Sequence, residues 1–154
     1  MIIEIYTDGA SRGNPGKSAS GYLFLNEKGK PLFSHVFYNG ICTNNKAEYT
    51  AIIEALKTAA SSYGRDNEIR LYSDSELVVN QLSGKYKIRE AHLKPLYGEA
   101  ITLLKTFSGF SIQSVRRENK NIASVDHELN MLLDRIEKNP PDSQKTRAER
   151  QRTL

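Results

Sequence analysis

The apolar and polar positions change period along the chain. From Ile2 to Thr7, β-branched and aromatic residues predict a strand, closed by the turn-forming run from Gly9 to Gly13-Asn14-Pro15-Gly16. Gly21–Asn26 and Leu32–Tyr38 read as two more strands, with Glu27-Lys28-Gly29-Lys30 as the hairpin loop between them. Three strands on short links predict an antiparallel meander. Between Lys46 and Tyr63 the apolar residues fall at Ile52, Ala55, Leu56, Ala59 and Tyr63, which is helical spacing, and Gly64 ends the helix. A short strand follows at Ile69–Ser73, then a helix at Ser75–Leu82 stopped near Gly84. The next helix, Leu93–Phe107, carries Leu96, Ala100, Leu103 and Leu104 as its stripe. Phe110–Arg116 is a fifth strand, and Ala123–Glu137 a closing helix broken by Asn139-Pro140-Pro141.

The order βββ-α-β-α-α-β-α predicts an α/β fold: a five-stranded mixed sheet, three strands antiparallel and then two parallel, flanked by helices. Residues 1–138 form the expected domain. Residues 139–154 have Ala148 and Leu154 as their only apolar side chains and are expected to be a basic, disordered tail. Hydrophobic residues at 38% and charged residues at 26% suit one globular domain with a single core.

Of the formal net charge of +4, most sits at the end: Lys138–Leu154 holds five Lys/Arg against two Asp/Glu. The folded part is nearly neutral, so charge by itself points only weakly to a nucleic-acid partner. Cys42 is the single cysteine, which rules out an intrachain disulfide or a Cys-based zinc site and suits a reduced compartment. The start of the chain lacks the pattern of a signal peptide, and no apolar run approaches the roughly 20 residues of a membrane span. A soluble, cytoplasmic monomer without a protein partner is the expectation.

Four carboxylates stand out by position. Asp8 and Asp74 are read at the carboxyl ends of the first and fourth strands, where open α/β sheets gather ligands. Glu48 precedes Ile52, Ala55 and Ala59 by four, seven and eleven residues, so it lies on the core-facing stripe of its helix. A buried carboxylate needs a partner. Asp126 is read as opening the last helix and facing the same crevice. Each also has an ordinary reading. Ser73-Asp74-Ser75-Glu76 and Asn45 with Glu48 are capping-box patterns, Asp126 suits a first helical turn, and Asp8 suits a turn. Taken together, the four make a candidate Mg²⁺ site.

Three motifs then resemble one family. Tyr6-Thr7-Asp8-Gly9-Ala10-Ser11-Arg12-Gly13-Asn14-Pro15-Gly16, Thr43-Asn44-Asn45-Lys46-Ala47-Glu48 and Tyr72-Ser73-Asp74-Ser75 are similar to the signatures of type 1 ribonuclease H, in its order and separations. The resemblance covers roughly residues 1–137 and is nearest to the compact prokaryotic branch. It implies a ribonuclease H-like fold, two catalytic Mg²⁺ ions (Mn²⁺ as a substitute), and endonucleolytic cleavage of RNA in RNA–DNA hybrids to 5′-phosphate and 3′-hydroxyl ends. Asp8, Glu48 and Asp74 match the metal-binding carboxylates. Asp126, with Asn130 four residues on, matches the fourth, although Asn119–Val125 before it is about two residues longer than the family's usual segment. Where many members carry a mobile histidine, this chain has Arg116-Arg117-Glu118, and Glu118 is the candidate for that accessory role. His127 is read as a helix-surface residue.

The chemistry agrees with this. Two hard cations about 3.5–4 Å apart can activate water and relieve charge on a leaving oxygen, and Mg²⁺ takes oxygen ligands without needing His or Cys. The resemblance makes Asn44 and Asn45 hybrid contacts. Asn14 is a further candidate, and Thr43 a candidate for holding a DNA phosphate, although turn and cap chemistry favours such residues anyway. Reading RNA against DNA falls to the 2′-hydroxyl in the minor groove. Where some members of the family it resembles carry a Trp-containing basic protrusion, this chain has Lys85-Tyr86-Lys87-Ile88-Arg89 with His92 and Lys94 and no Trp, so a weaker grip is expected, and a solvated helix connection is the plainer reading of the charge run. The alternatives are a non-catalytic hybrid-binding module and another carboxylate nuclease, an exonuclease or resolvase, on the same fold.

Overall fold

The computed structural model describes residues 1–139, so the expected basic tail lies, from residue 140, outside the described residues. Strands β1 (Ile2–Gly13), β2 (Gly16–Asn26) and β3 (Pro31–Cys42) form the meander. Helix α1 (Asn44–Tyr63) leads to β4 (Glu68–Ser73) and α2 (Glu76–Leu82). A short 3₁₀ turn, Ala91–Leu93, runs into α3 (Lys94–Lys105), then β5 (Gly109–Ser114) and α4 (Lys120–Lys138). The sheet order is β3-β2-β1-β4-β5, with β1–β2 and β2–β3 antiparallel and β1–β4 and β4–β5 parallel. This is the expected five-stranded mixed sheet.

One face of the sheet is covered by α1. Tyr49, Ile52, Leu56 and Ala59 pack on Ile3, Ile5, Tyr22, Phe24, Ile69 and Leu71, and α2, the 3₁₀ turn and α3 add Val78, Leu82, Leu93 and Leu104. Each large side chain buried in this way contributes roughly 1.5–3 kcal/mol. The other face carries α4, whose Val125, Leu129 and Leu133 meet Ala19, Val36 and Tyr38. Among the described residues, no helix is long and apolar enough to cross a membrane.

Three differences from the sequence reading matter for the site. The first hairpin is longer than expected: β1 continues six residues past Thr7, and β2 begins at Gly16 rather than Gly21. Small residues line this extension because helices lie directly on it, α1 over Gly9 and α4 over Ala10 and Ala19. A Cβ on Gly9 would sit 2.5 Å from the Ala47 carbonyl carbon. Asp8 therefore lies within β1, not at its end. Helix α4 starts at Lys120, capped by the Asn119 side chain, which accepts from the Asn121 and Ile122 amides. Asp126 thus sits in the second turn and does not open the helix. Finally, β5 ends at Ser114, which leaves Arg116, Arg117 and Glu118 in the loop before α4.

Candidate active site

Register brings the first two carboxylates together. The parallel β1–β4 ladder runs from Ile2↔Glu68 to Thr7↔Ser73, so Asp8 and Asp74 are the next residues on adjacent strands. Beyond this point β4 yields to α2, whose N-cap is Ser75, accepting from the Val78 amide. The cap role belongs to Ser75, and the Asp74 side chain is left to face the crevice.

Glu48 comes in from above. Thr43 caps α1 by accepting from the Lys46 amide, and the helix lies against Gly9 so that Glu48 on its first turns is only 8% exposed. One ligand oxygen from each of Asp8, Glu48 and Asp74 falls within 4.8 Å of the others. Opposite ligands of a Mg²⁺ ion stand about 4 Å apart, given bonds of roughly 2.0–2.1 Å. Asp126 reaches the same place from α4. Its charge bears on the Asp8 carboxyl, and its own carboxylate accepts from Asn130 Nδ2 at 3.1 Å. The resulting cavity of about 370 Å³ is lined by all four carboxylates, with Asn44, Asn45, Ser75 and Arg117 on its wall.

The electrostatics follow from crowding like charges in a partly dry pocket. Burial, then the Asp74 and Asp126 charges, push the Asp8 carboxyl up to about 8, against one hydrogen bond from the Gly9 amide. Glu48 is driven well above the carboxylate range by burial and by Asp8 and Asp74. Asp74 is raised by burial, with Arg117 pulling the other way from 3.6 Å.

These residues fit a hard divalent cation. The donors are all oxygen. Glu48 Oε2 is buried without a hydrogen-bond partner, a vacancy that a metal bond would satisfy. A cation would also reverse the repulsion that raises these carboxyls.

The other sequence candidates divide. Asn44 and Asn45 line the carboxylate pocket, with Asn44 Oδ1 accepting from the Ser11 amide at 2.8 Å. Asn14 is exposed at the hairpin tip, where its Oδ1 accepts from the Asn44 amide, and Thr43 acts as the helix cap. Neither lines the pocket. Glu118 is exposed and lines a neighbouring depression with Glu76, Ser114 and Arg116. Its neighbour Arg117 is the side chain that reaches the carboxylates, and the sequence held no signal to choose between them. His127 is exposed on α4, as read. Lys85, Lys87 and Arg89 line a separate cavity of about 550 Å³ with Leu77, Gln81 and Tyr86.

Comparison with known proteins agrees with this architecture. A family model described as reverse transcriptase-like matches residues 6–125. The ribonuclease HI of Halobacterium salinarum is 40% identical over 123 residues, 80% of this chain and 61% of that protein's length. The crystal structure of RNase H1 from the same archaeon superposes with a TM-score of 0.81 at 37% identity, covering 88% of this chain and 99% of that one. LC11-RNase H1, solved in complex with an RNA/DNA hybrid, gives 0.80 at 36% identity over 86% of this chain and 97% of that one. From three motifs in order, a shared sheet topology and these relatives, the chain belongs to the type 1 ribonuclease H family.

Proposed function

We propose that this protein hydrolyses the RNA strand of RNA–DNA hybrids, leaving 5′-phosphate and 3′-hydroxyl ends, with two Mg²⁺ ions held by Asp8, Glu48, Asp74 and Asp126. The observation that carries the reading is the convergence of carboxylates from β1, α1, the β4–α2 junction and α4 on one pocket, with Glu48 Oε2 buried and unpartnered. A bound cation pair supplies Lewis acidity toward the phosphodiester and a water of lowered pKa.

The chain's own groups do the rest. Asp8, crowded by Asp74 and Asp126, must lose its proton for a cation to bind. Asn44 has its oxygen occupied by the Ser11 amide, so the group it offers a hybrid is the Nδ2 donor, suited to a 2′-hydroxyl oxygen or a base-edge acceptor. Asn45 stands beside it on the pocket wall. Arg117, 86% exposed at the mouth, supplies the cation that meets the phosphate backbone.

The test is cleavage of a labelled hybrid with and without Mg²⁺, run beside duplex DNA and duplex RNA and beside Asp8→Asn. Mg²⁺-dependent cutting of the hybrid alone, lost in the variant, is the expected result. Equal binding with no cutting in any lane would leave a hybrid-binding module, and preference for duplex DNA would indicate another carboxylate nuclease.

A further inference from the structure

The extended hairpin reaches α4 through a single side chain. Arg12, near the end of β1, places Nη2 3.2 Å from the Asn130 backbone oxygen and 3.2 Å from Asn130 Oδ1. The same guanidinium meets Asp134 at 2.8 Å and Glu137 at 3.0 Å. On its other side, Asn130 Nδ2 donates to the Asp126 backbone oxygen at 2.9 Å and to Asp126 Oδ1 at 3.1 Å. Asp126 in turn lines the same pocket as Asp8 and adds like charge to it.

Resting on the nuclease reading above, we propose that Arg12 is a positioning residue: by fixing which way round the Asn130 amide sits, it sets the Asp126 carboxylate beside Asp8.

The reason is donor–acceptor polarity. A guanidinium can only donate, and an ionised carboxylate can only accept. An asparagine placed between them satisfies both in one orientation, oxygen toward Arg12 and nitrogen toward Asp126. Rotated by half a turn, the amide would set nitrogen against the guanidinium and oxygen against the carboxylate, so both contacts would become repulsive. Arg12 thus acts two bonds away from a carboxylate it does not touch.

The ion pairs to Asp134 and Glu137 serve a different end. Those partners are 59% and 47% exposed, and such surface pairs contribute little to stability. They hold the planar fork so that Nη2 is aimed at Asn130. The hairpin also holds α1, since the Ser11 amide donates to Asn44 Oδ1 and Asn14 Oδ1 accepts from the Asn44 amide. One β-hairpin therefore sets the approach of both helices that bring carboxylates to the strands.

The test uses the full chain with Arg12→Lys, Asn130→Ala and the double variant. Arg12→Lys keeps a cation beside Asp134 and Glu137 but has no fork to reach Asn130 as well, and its surface position keeps the comparison available if Asn130→Ala does not fold. The readouts are Mn²⁺ affinity by electron paramagnetic resonance, kcat and KM on a hybrid, and the melting temperature. Losing a hydrogen bond to a charged group predicts that each single variant weakens Mn²⁺ binding and lowers kcat about tenfold, with KM within about twofold. The double variant should fall no further than the worse single one, because both act through one amide. Losses that multiply in the double variant would overturn the proposal. So would unchanged Mn²⁺ affinity in Arg12→Lys, or activity that falls only in step with the melting temperature. If the parent protein cleaves no hybrid, the nuclease reading fails, while Mn²⁺ affinity still decides the role of Arg12.

Discussion

Glu48 and Tyr49 are neighbours on α1, both buried, and the fold treats their polar atoms in opposite ways. The Tyr49 hydroxyl donates to Gln81 Oε1 at 2.6 Å, and nearby the Tyr22 hydroxyl pairs with Thr58 at 2.9 Å. Every polar group there has found its match, as interiors require. A few ångströms along the helix, Glu48 Oε2 has none, and Asp8 and Asp74 add like charge. The first region is built for stability. The second holds a repulsion that the polypeptide alone does not relieve and that a divalent cation would.

The largest test of this contrast is catalytic. Asp8→Asn or Asp74→Asn should lower kcat on a hybrid by about 10³-fold or more, roughly 4 kcal/mol, through loss of a cation ligand. Tyr49→Phe should leave kcat unchanged. A small effect in the aspartate variants, measured by single-turnover cleavage, would remove the distinction between the two regions.

A second test uses pH. With the Asp8 carboxyl raised to about 8, against roughly 3.9 in the unfolded chain, the folded protein holds more protons than the unfolded one in between. The stability this group contributes is therefore complete below about pH 4 and lost as pH rises through 8. Glu48 and Asp74 are shifted in the same sense. Metal-free protein should melt at progressively lower temperature across that window, and saturating Mg²⁺ should flatten the trend. Mg²⁺ binding at pH 7 should also release protons, seen as a calorimetric enthalpy that depends on the buffer. A melting temperature independent of pH would sink this account.

Two smaller effects of opposite sign sharpen the comparison. Tyr49→Phe strands Gln81 Oε1 in the core and should destabilise by about 1–3 kcal/mol in urea unfolding. Glu48→Gln replaces a buried carboxyl crowded by Asp8 and Asp74 with a neutral amide and should stabilise metal-free protein above neutral pH by about 1 kcal/mol while lowering activity. Destabilisation by both would mean that Glu48 is an ordinary core residue.

Much of this molecule is legible in its sequence because the periods are local. The alternation of β1–β3, the helical stripe from Ile52 to Tyr63 and the Gly64 stop each depend on neighbours within a few residues. So does the anomaly of Glu48, a carboxylate on a stripe that must be buried. The three motifs add the family and three of the four carboxylates. What escaped the sequence depends on contacts between distant segments. Gly9-Ala10-Ser11 reads as turn by composition, yet pairs as strand with Ser18-Ala19-Ser20, with Gly9 pressed against α1 at Ala47 and Ala10 and Ala19 packed under α4. The register Thr7↔Ser73 places Asp8 beside Asp74, and no pattern within either strand encodes that alignment. The reach of Arg117 to Asp74, and the bond from Arg12 to Asn130 across 118 positions, rest on how loops and helices dock. Sequence determines which residues can serve the chemistry, because side-chain type and local period are properties of short segments. Tertiary structure decides which of them meet, because distance and orientation arise only when the sheet and helices close on one another.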